Sequence, residues 1–108
     1  MRDFDGKEAT IKEGLLVCPR CGDTYLHHHA VKVFERVAED AGGSVTLVEG
    51  LRVSTRPAER GEIPHRRNTV RIAFTCEFCD SEDRVCRMAL EIEQHKGLTC
   101  MRWVRWPD

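Results

Sequence analysis

Apolar and polar residues alternate over several stretches of the chain. Val31 and Val33 bracket Lys32, and Val37 keeps the same parity beside Arg36. Val45 and Leu47 flank Thr46, and Leu51-Arg-Val-Ser-Thr55 follows closely. Val70, Ile72, Phe74 and Cys76 alternate with Arg71, Ala73 and Thr75, as Leu90 and Ile92 do with Glu91 and Glu93. Period two in segments rich in β-branched residues predicts strands with one face turned to a core. Residues 31–41 also fit a helix, since Phe34, Val37, Ala38 and Ala41 stand three or four apart. The β-branching and the glycine pair that follows favour a strand.

Punctuation falls between these runs. Ala41-Gly-Gly43 separates the first two, and residues 56–65 form a loop with two prolines and a glycine. Gln94-His-Lys-Gly97 reads as a hairpin turn leading into a last strand from Leu98 to Trp106. With the turn centred on His95-Lys96, Cys100 falls opposite Glu91 and away from Cys86. The expected fold is all-β or β-rich with at most one short helix. Its apolar face is Val31, Val33, Val70, Ile72, Phe74, Leu90 and Ile92. A chain of 108 residues makes one domain, 1–108, with 1–12 expected as a flexible lead-in and 56–68 as a flexible basic loop.

Hydrophobic residues make up 41% and charged residues 32% of the chain, and no run approaches the roughly 18 apolar residues of a membrane span. The first ten residues are charge-rich and lack the apolar block of a signal peptide. A cytoplasmic protein without membrane contact is expected. In a reducing compartment the six cysteines call for an explanation other than disulfides.

Four of them come in two pairs, Cys18-Pro-Arg-Cys21-Gly22 and Cys76-Glu-Phe-Cys79-Asp80, each just after an apolar run. Two intervening residues let the chain turn tightly enough for both sulfurs to reach one ion at about 2.3 Å. Gly22 suits the positive φ of such a turn. Two such knuckles supply four thiolates, a closed tetrahedron for one zinc ion per chain with Cys18, Cys21, Cys76 and Cys79 as ligands. Fifty-four residues separate Cys21 from Cys76, more than the compact four-cysteine signature has. An inserted hairpin over 31–55 and the proline-containing loop account for the gap. Cys86 and Cys100 are left over and read as buried free thiols.

The knuckles, on residues 15–25 and 74–80, resemble a zinc ribbon, which implies a small antiparallel β-fold with the metal between two knuckles. The whole chain is similar to small uncharacterised zinc-ribbon-like proteins of actinobacteria and their phages. The residues that carry this are Cys18-Pro-Arg-Cys21 running into Tyr25-Leu-His-His28, then Val33-Phe-Glu-Arg36, Arg66-Arg-Asn68, Phe74-Thr-Cys-Glu-Phe-Cys79, and Gln94-His-Lys-Gly-Leu-Thr99 with Trp103. The resemblance carries fold and metal and implies no activity.

His27-His-His29 follows the first knuckle. On a regular strand His27 and His29 share a face while His28 points the other way, so the three do not converge on one ion. His27 and His29 are candidates for a role beside the knuckle, or for a second metal site recruiting His65 or His95. An open histidine site would be the one route to hydrolytic catalysis. No H-E-x-x-H pattern, phosphate-binding glycine loop or nucleophile elbow is present, and a closed four-thiolate site has no open position. The expectation is a non-enzymatic binding module.

Net charge is −1, yet residues 52–71 hold six arginines against two glutamates and no lysine. The C-terminus interleaves Arg102, Trp103, Arg105 and Trp106. Together with Arg56, Arg60, Arg66 and Arg67 these residues are the candidate partner surface. Arginine beside tryptophan suits a protein hot spot and also a single-stranded nucleic acid. The negative balance outside the loop tips the expectation towards a protein.

Overall fold

A computed structural model of the chain describes residues 4–36, 42–63, 68–80 and 88–106. The fold is β-rich and antiparallel, as expected from the alternation. A short hairpin, β1 (Ile11–Lys12) and β2 (Leu15–Leu16), precedes six longer strands. These are β3 (Leu26–Arg36), β4 (Gly43–Glu49), β5 (Arg52–Pro57), β6 (Thr69–Cys76), β7 (Met88–His95) and β8 (Leu98–Arg105). A single helical turn, α1 (Glu77–Asp80), follows β6. The six strands form one sheet in the order β5-β4-β3-β6-β7-β8. The segment 31–36 is strand, and the remainder of the stretch that also fitted a helix, 37–41, lies outside the described residues.

The β7–β8 turn sits one residue later than expected. His95 pairs with Leu98, and Lys96 and Gly97 both take positive φ, 52° and 83°. This is the two-residue geometry whose twist matches paired strands. The shift moves Cys100 opposite Glu93 rather than Glu91, and Cys100 is exposed rather than buried. Cys86 lies outside the described residues.

Strand β3 carries a bulge. His28 pairs with Phe74 but Ala30 pairs with Ala73, so His29 has no register partner on β6. An extra residue in one strand exchanges the faces beyond it. Leu26 and His28 lie on the face of Cys76 and Phe74, and past the bulge that face is taken by Val31 and Val33. The same face carries a register line that is apolar on every strand: Val53, Val48, Val31, Ile72, Leu90 and Trp103.

The expected apolar face is thus one face of the sheet, but the core is not spread along it. Val31, Val33, Val70 and Ile72 are only half-buried. The buried cluster lies at the knuckle end and consists of Phe4, Cys18, Cys76, Met88, Leu90 and Trp103, with Phe74 and Ile92 packed against it. Trp103, placed on the candidate partner surface by sequence, is 1% exposed and meets Phe74 edge-on at 5.8 Å. Residues 4–9, within the segment expected as a flexible lead-in, lie against β8. Gly6 and Ala9 donate backbone hydrogen bonds to the carbonyls of Trp103 and Met101, Trp103 donates to Lys7, and Phe4 is buried. They close the β8 edge of the sheet.

A second cluster occupies the other face: Phe34, Val45 and Ile63, with Ala58 against it. Ile63 belongs to the segment expected as a flexible basic loop, and its burial anchors residues 58–63 over the sheet. Beside this cluster a register line crosses four strands with ionic side chains, Lys32, Arg71, Glu91 and Arg102.

Candidate metal centre

The short hairpin delivers Cys18, which follows β2 by two residues, and β6 ends on Cys76, opposite Leu26 of β3. The helical turn α1 brings Cys79 round to the same point. In the first knuckle the Cys18 N–H donates to the Asp23 carbonyl at 2.7 Å, and the Gly22 N–H returns to the Cys18 carbonyl at 3.0 Å. Gly22 has φ of +83°, the left-handed backbone the spacing called for. Asp23 secures the exit, its Oδ1 accepting from the Thr24 N–H at 2.8 Å and from Tyr25 at 3.3 Å.

The four sulfurs lie within 4.8 Å of one another, the one group of metal-ligating side chains that converges among the described residues. Cys18 and Cys79 are 3.8 Å apart, and Cys21 and Cys76 are 3.5 Å apart. A tetrahedron with metal–sulfur bonds of about 2.3 Å has edges of about 3.8 Å. The spacing therefore fits one ion held by four thiolates. Cys18 and Cys76 are buried, Cys79 is half-buried and Cys21 faces solvent.

The local electrostatics treat the sulfurs unequally. Burial pushes the Cys18 thiol above its ordinary value, against backbone hydrogen bonds from Cys21 and Arg20, the latter at 3.4 Å. For Cys21 burial acts in the same direction, but the Asp23 backbone and the neighbouring thiols outweigh it and hold the group below its ordinary value. Thiolate is the ligating form, and backbone N–H groups aimed at sulfur stabilise it.

His27, His28 and His29 stay outside this shell. His27 Nε2 lies 3.1 Å from Glu77 Oε2, an exposed contact beside the second knuckle. His28 stands edge-on to Phe74 at 6.2 Å, and His29 is exposed at the bulge. Tyr25 and Phe78, one from each knuckle, expose a pair of rings 5.8 Å apart. The sequence carried a signal for that pair, an aromatic residue within or just after each knuckle.

Several of the described candidate partner residues are engaged within the fold. Arg56 is in a two-pronged ion pair with Glu62, whose carboxyl this hydrogen bond, aided by the Glu59 N–H, lowers to about 2. Arg60 is exposed at the following turn. Arg66 and Arg67 lie outside the described residues, as does His65. Arg102 is bound to Glu91 and Glu93 at 3.0 and 2.8 Å. Arg105 is exposed at the end of β8, and Trp106 is half-buried, its ring 5.3 Å from the Lys32 ammonium. Of the C-terminal Arg-Trp group, Trp103 is core and Arg102 belongs to an ionic network.

Sequence reasoning missed that network. Glu91 is 1% exposed. Its Oε2 accepts from Arg71 Nε and Nη2 at 2.8 Å each, and its Oε1 from Arg102 Nε at 3.0 Å. Alternation assigned Arg71 and Glu91 to the wet side of their strands. Their only sequence signal was opposite charge on neighbouring strands, invisible without the register.

No protein-family model, curated protein or solved structure matches the chain.

Proposed function

We propose that the chain is a non-enzymatic binding module held together by one zinc ion on Cys18, Cys21, Cys76 and Cys79, working in a reducing compartment such as the cytoplasm. The observation that carries it is the four-sulfur cluster. It joins two chain segments that lie 54 residues apart in sequence. Four thiolates without an open position suit a structural zinc site, and zinc is the usual occupant of such a set. No helix is long and apolar enough to cross a membrane among the described residues.

A protein partner is favoured over nucleic acid. The support is the apolar register line, whose burial falls from Trp103 to Val53, the latter 68% exposed. The arginines that suggested a polyanion are in part engaged: Arg56 by Glu62, and Arg71 and Arg102 by Glu91. The exposed Tyr25–Phe78 pair supports the second reading, base stacking of a single strand on the knuckle end.

Metal analysis of the purified protein tests the first half, with one zinc per chain in an all-sulfur shell expected from X-ray absorption. Oligonucleotide titration against salt tests the second. Binding that survives physiological ionic strength below the micromolar range, with a slope of about −0.7 per phosphate for single strands, would transfer the function to nucleic acid. A chain without metal would overturn the zinc site.

A further inference from the structure

We infer that β5 is a docking strand: an extended segment of a protein partner, with acidic residues at alternate positions, adds to it as a further antiparallel strand of the sheet. This rests on the reading of the chain as a module that binds a protein, and it gives that partner a chemistry.

Among the described residues the six-stranded sheet has one covered edge and one open edge. At β8 the N-terminal segment takes up the backbone groups: Gly6 and Ala9 donate to the Trp103 and Met101 carbonyls, Trp103 donates to the Lys7 carbonyl, and Glu8 bridges Arg102. At the other end β5 is outermost, and all six of its residues are exposed. The turn sets the phase of its hydrogen bonds. Gly50 and Leu51 make a two-residue connection between Glu49 and Arg52, so that pair exchanges hydrogen bonds, and so does every second pair after it. The Ala58 N–H, bound to the Gly43 carbonyl at 2.8 Å, fixes the same phase at the far end. Arg52, Ser54 and Arg56 therefore turn their backbone groups to β4, while Val53 and Thr55 turn theirs to solvent. Pro57 shares the outward phase but has no N–H, and its carbonyl accepts from Arg56 Nη1 at 3.2 Å. The open template is thus residues 53–55, which offer two donors and two acceptors to an added strand.

The side chains select what pairs there. On one face Val53 continues the apolar register line beside Val48, and both are exposed. An apolar or β-branched residue opposite Val53 or Thr55 extends that line by one strand. On the other face stand Arg52 and Arg56, with Ser54 between them, and β5 has no acidic residue. Arg56 is held by Glu62. Arg52 makes no ion pair among the described residues, although Glu49 stands opposite it. A residue of the added strand opposite Arg52 or Ser54 meets positive charge, so glutamate or aspartate is favoured and lysine or arginine repelled. The same charges disfavour a second copy of this chain. With a two-fold axis on Ser54, each Arg52 would face an Arg56. With the axis on Val53, four arginines would line one face with no counter-charge from either β5.

The experiment titrates the isotope-labelled full chain, as purified, with end-capped peptides and follows the backbone amides by NMR. The first probe is Ser-Glu-Val-Glu-Val-Glu-Ser, and the second has lysine in place of every glutamate. Two more are the first probe N-methylated on both valines, whose amides would face β5, or on two glutamates, whose amides would face away. In the free protein the Val53 and Thr55 amides should exchange rapidly with solvent. The first probe should protect both, with saturable shifts centred on β5. The valine-methylated peptide and the lysine peptide should each bind about tenfold or more weakly, and the glutamate-methylated peptide like its parent. Because these controls lie on the peptide, they leave the protein's folding untouched. Arg52→Glu, an exposed change, should reverse the order of the glutamate and lysine peptides. Equal binding of the two methylated peptides, or a first probe that leaves the Val53 and Thr55 amides unprotected, would overturn strand addition. A chain that sediments as a dimer with those two amides already protected would give the edge to a second copy and overturn it as well. Submicromolar binding of a single-stranded oligonucleotide at physiological salt would fail the protein reading itself, an outcome separate from the peptide result.

Discussion

Glu91 on β7 stands opposite Arg71 on β6, and the two buried side chains meet through both Nε and Nη2 of the guanidinium at 2.8 Å. Arg102 of β8 completes the arrangement from the other side at 3.0 Å. Burial alone would raise the Glu91 carboxyl. The hydrogen bonds and charges of Arg71 and Arg102 outweigh it and hold the group below the usual carboxylate range. The folded pKa thus lies below the unfolded one, near 4.3. This contribution is present above that value and is lost as pH falls through the folded pKa. Acid titration of wild type and Glu91→Gln, followed by circular dichroism, should show a smaller loss of stability below about pH 4 in the variant. At neutral pH Glu91→Ala should cost about 3–5 kcal/mol, because the buried Arg71 loses its counter-charge.

Loss of one knuckle sulfur should open the metal site. Cys21→Ser or Cys76→Ser is expected to abolish stoichiometric zinc and largely unfold the chain, since apparent zinc binding in small structural sites is on the order of 10–16 kcal/mol. Cys100→Ser, on the exposed face of β8, should leave zinc content and melting unaltered. Zinc retained at one per chain without Cys21 or Cys76 would mean other ligands.

The histidines are expected to be dispensable for metal. The double change His27→Ala, His29→Ala should keep one zinc with four sulfur neighbours by X-ray absorption. A nitrogen neighbour present in the wild type and lost in the variant would place a histidine in the shell.

The two tryptophans should behave differently. Trp103 is enclosed by Phe74 and the N-terminal segment, so Trp103→Ala is expected to cost about 3–5 kcal/mol. Trp106 offers one cation–π contact to Lys32, and Trp106→Ala should cost about 0.5–1 kcal/mol. Urea denaturation of the two variants, at equal zinc loading, separates them.

Gly43 is a close-approach position. A Cβ there would lie 2.5 Å from the Glu35 carbonyl oxygen and in collision with Ile63 Cδ1. Gly43→Ala should therefore lower the stability by about 1–3 kcal/mol, seen as a lower urea midpoint, by lifting residues 58–63 from Phe34 and Val45. An unchanged midpoint would show that this segment does not bear on the sheet.

The sequence by itself determined the strand at 70–76, the alternation over 90–93, a turn before Leu98 to within one residue, and the two knuckles. Each is a local statement: period two reports one strand's faces, and C-x-x-C with glycine reports one turn's curvature. It also identified which apolar residues share a face. Only the tertiary structure decided which of those residues the core uses. The bulge at His28–Ala30 exchanges the faces within one strand, and no residue type announces it. The docking of residues 4–9 on β8 and of Ile63 on Phe34 rests on contacts distant along the chain, which no local pattern contains. The same holds for the arginines. Composition counts them as available charge, but the register sets Arg71 and Arg102 around Glu91, and an ion pair buried between strands depends on a pairing that exists only once the sheet has formed.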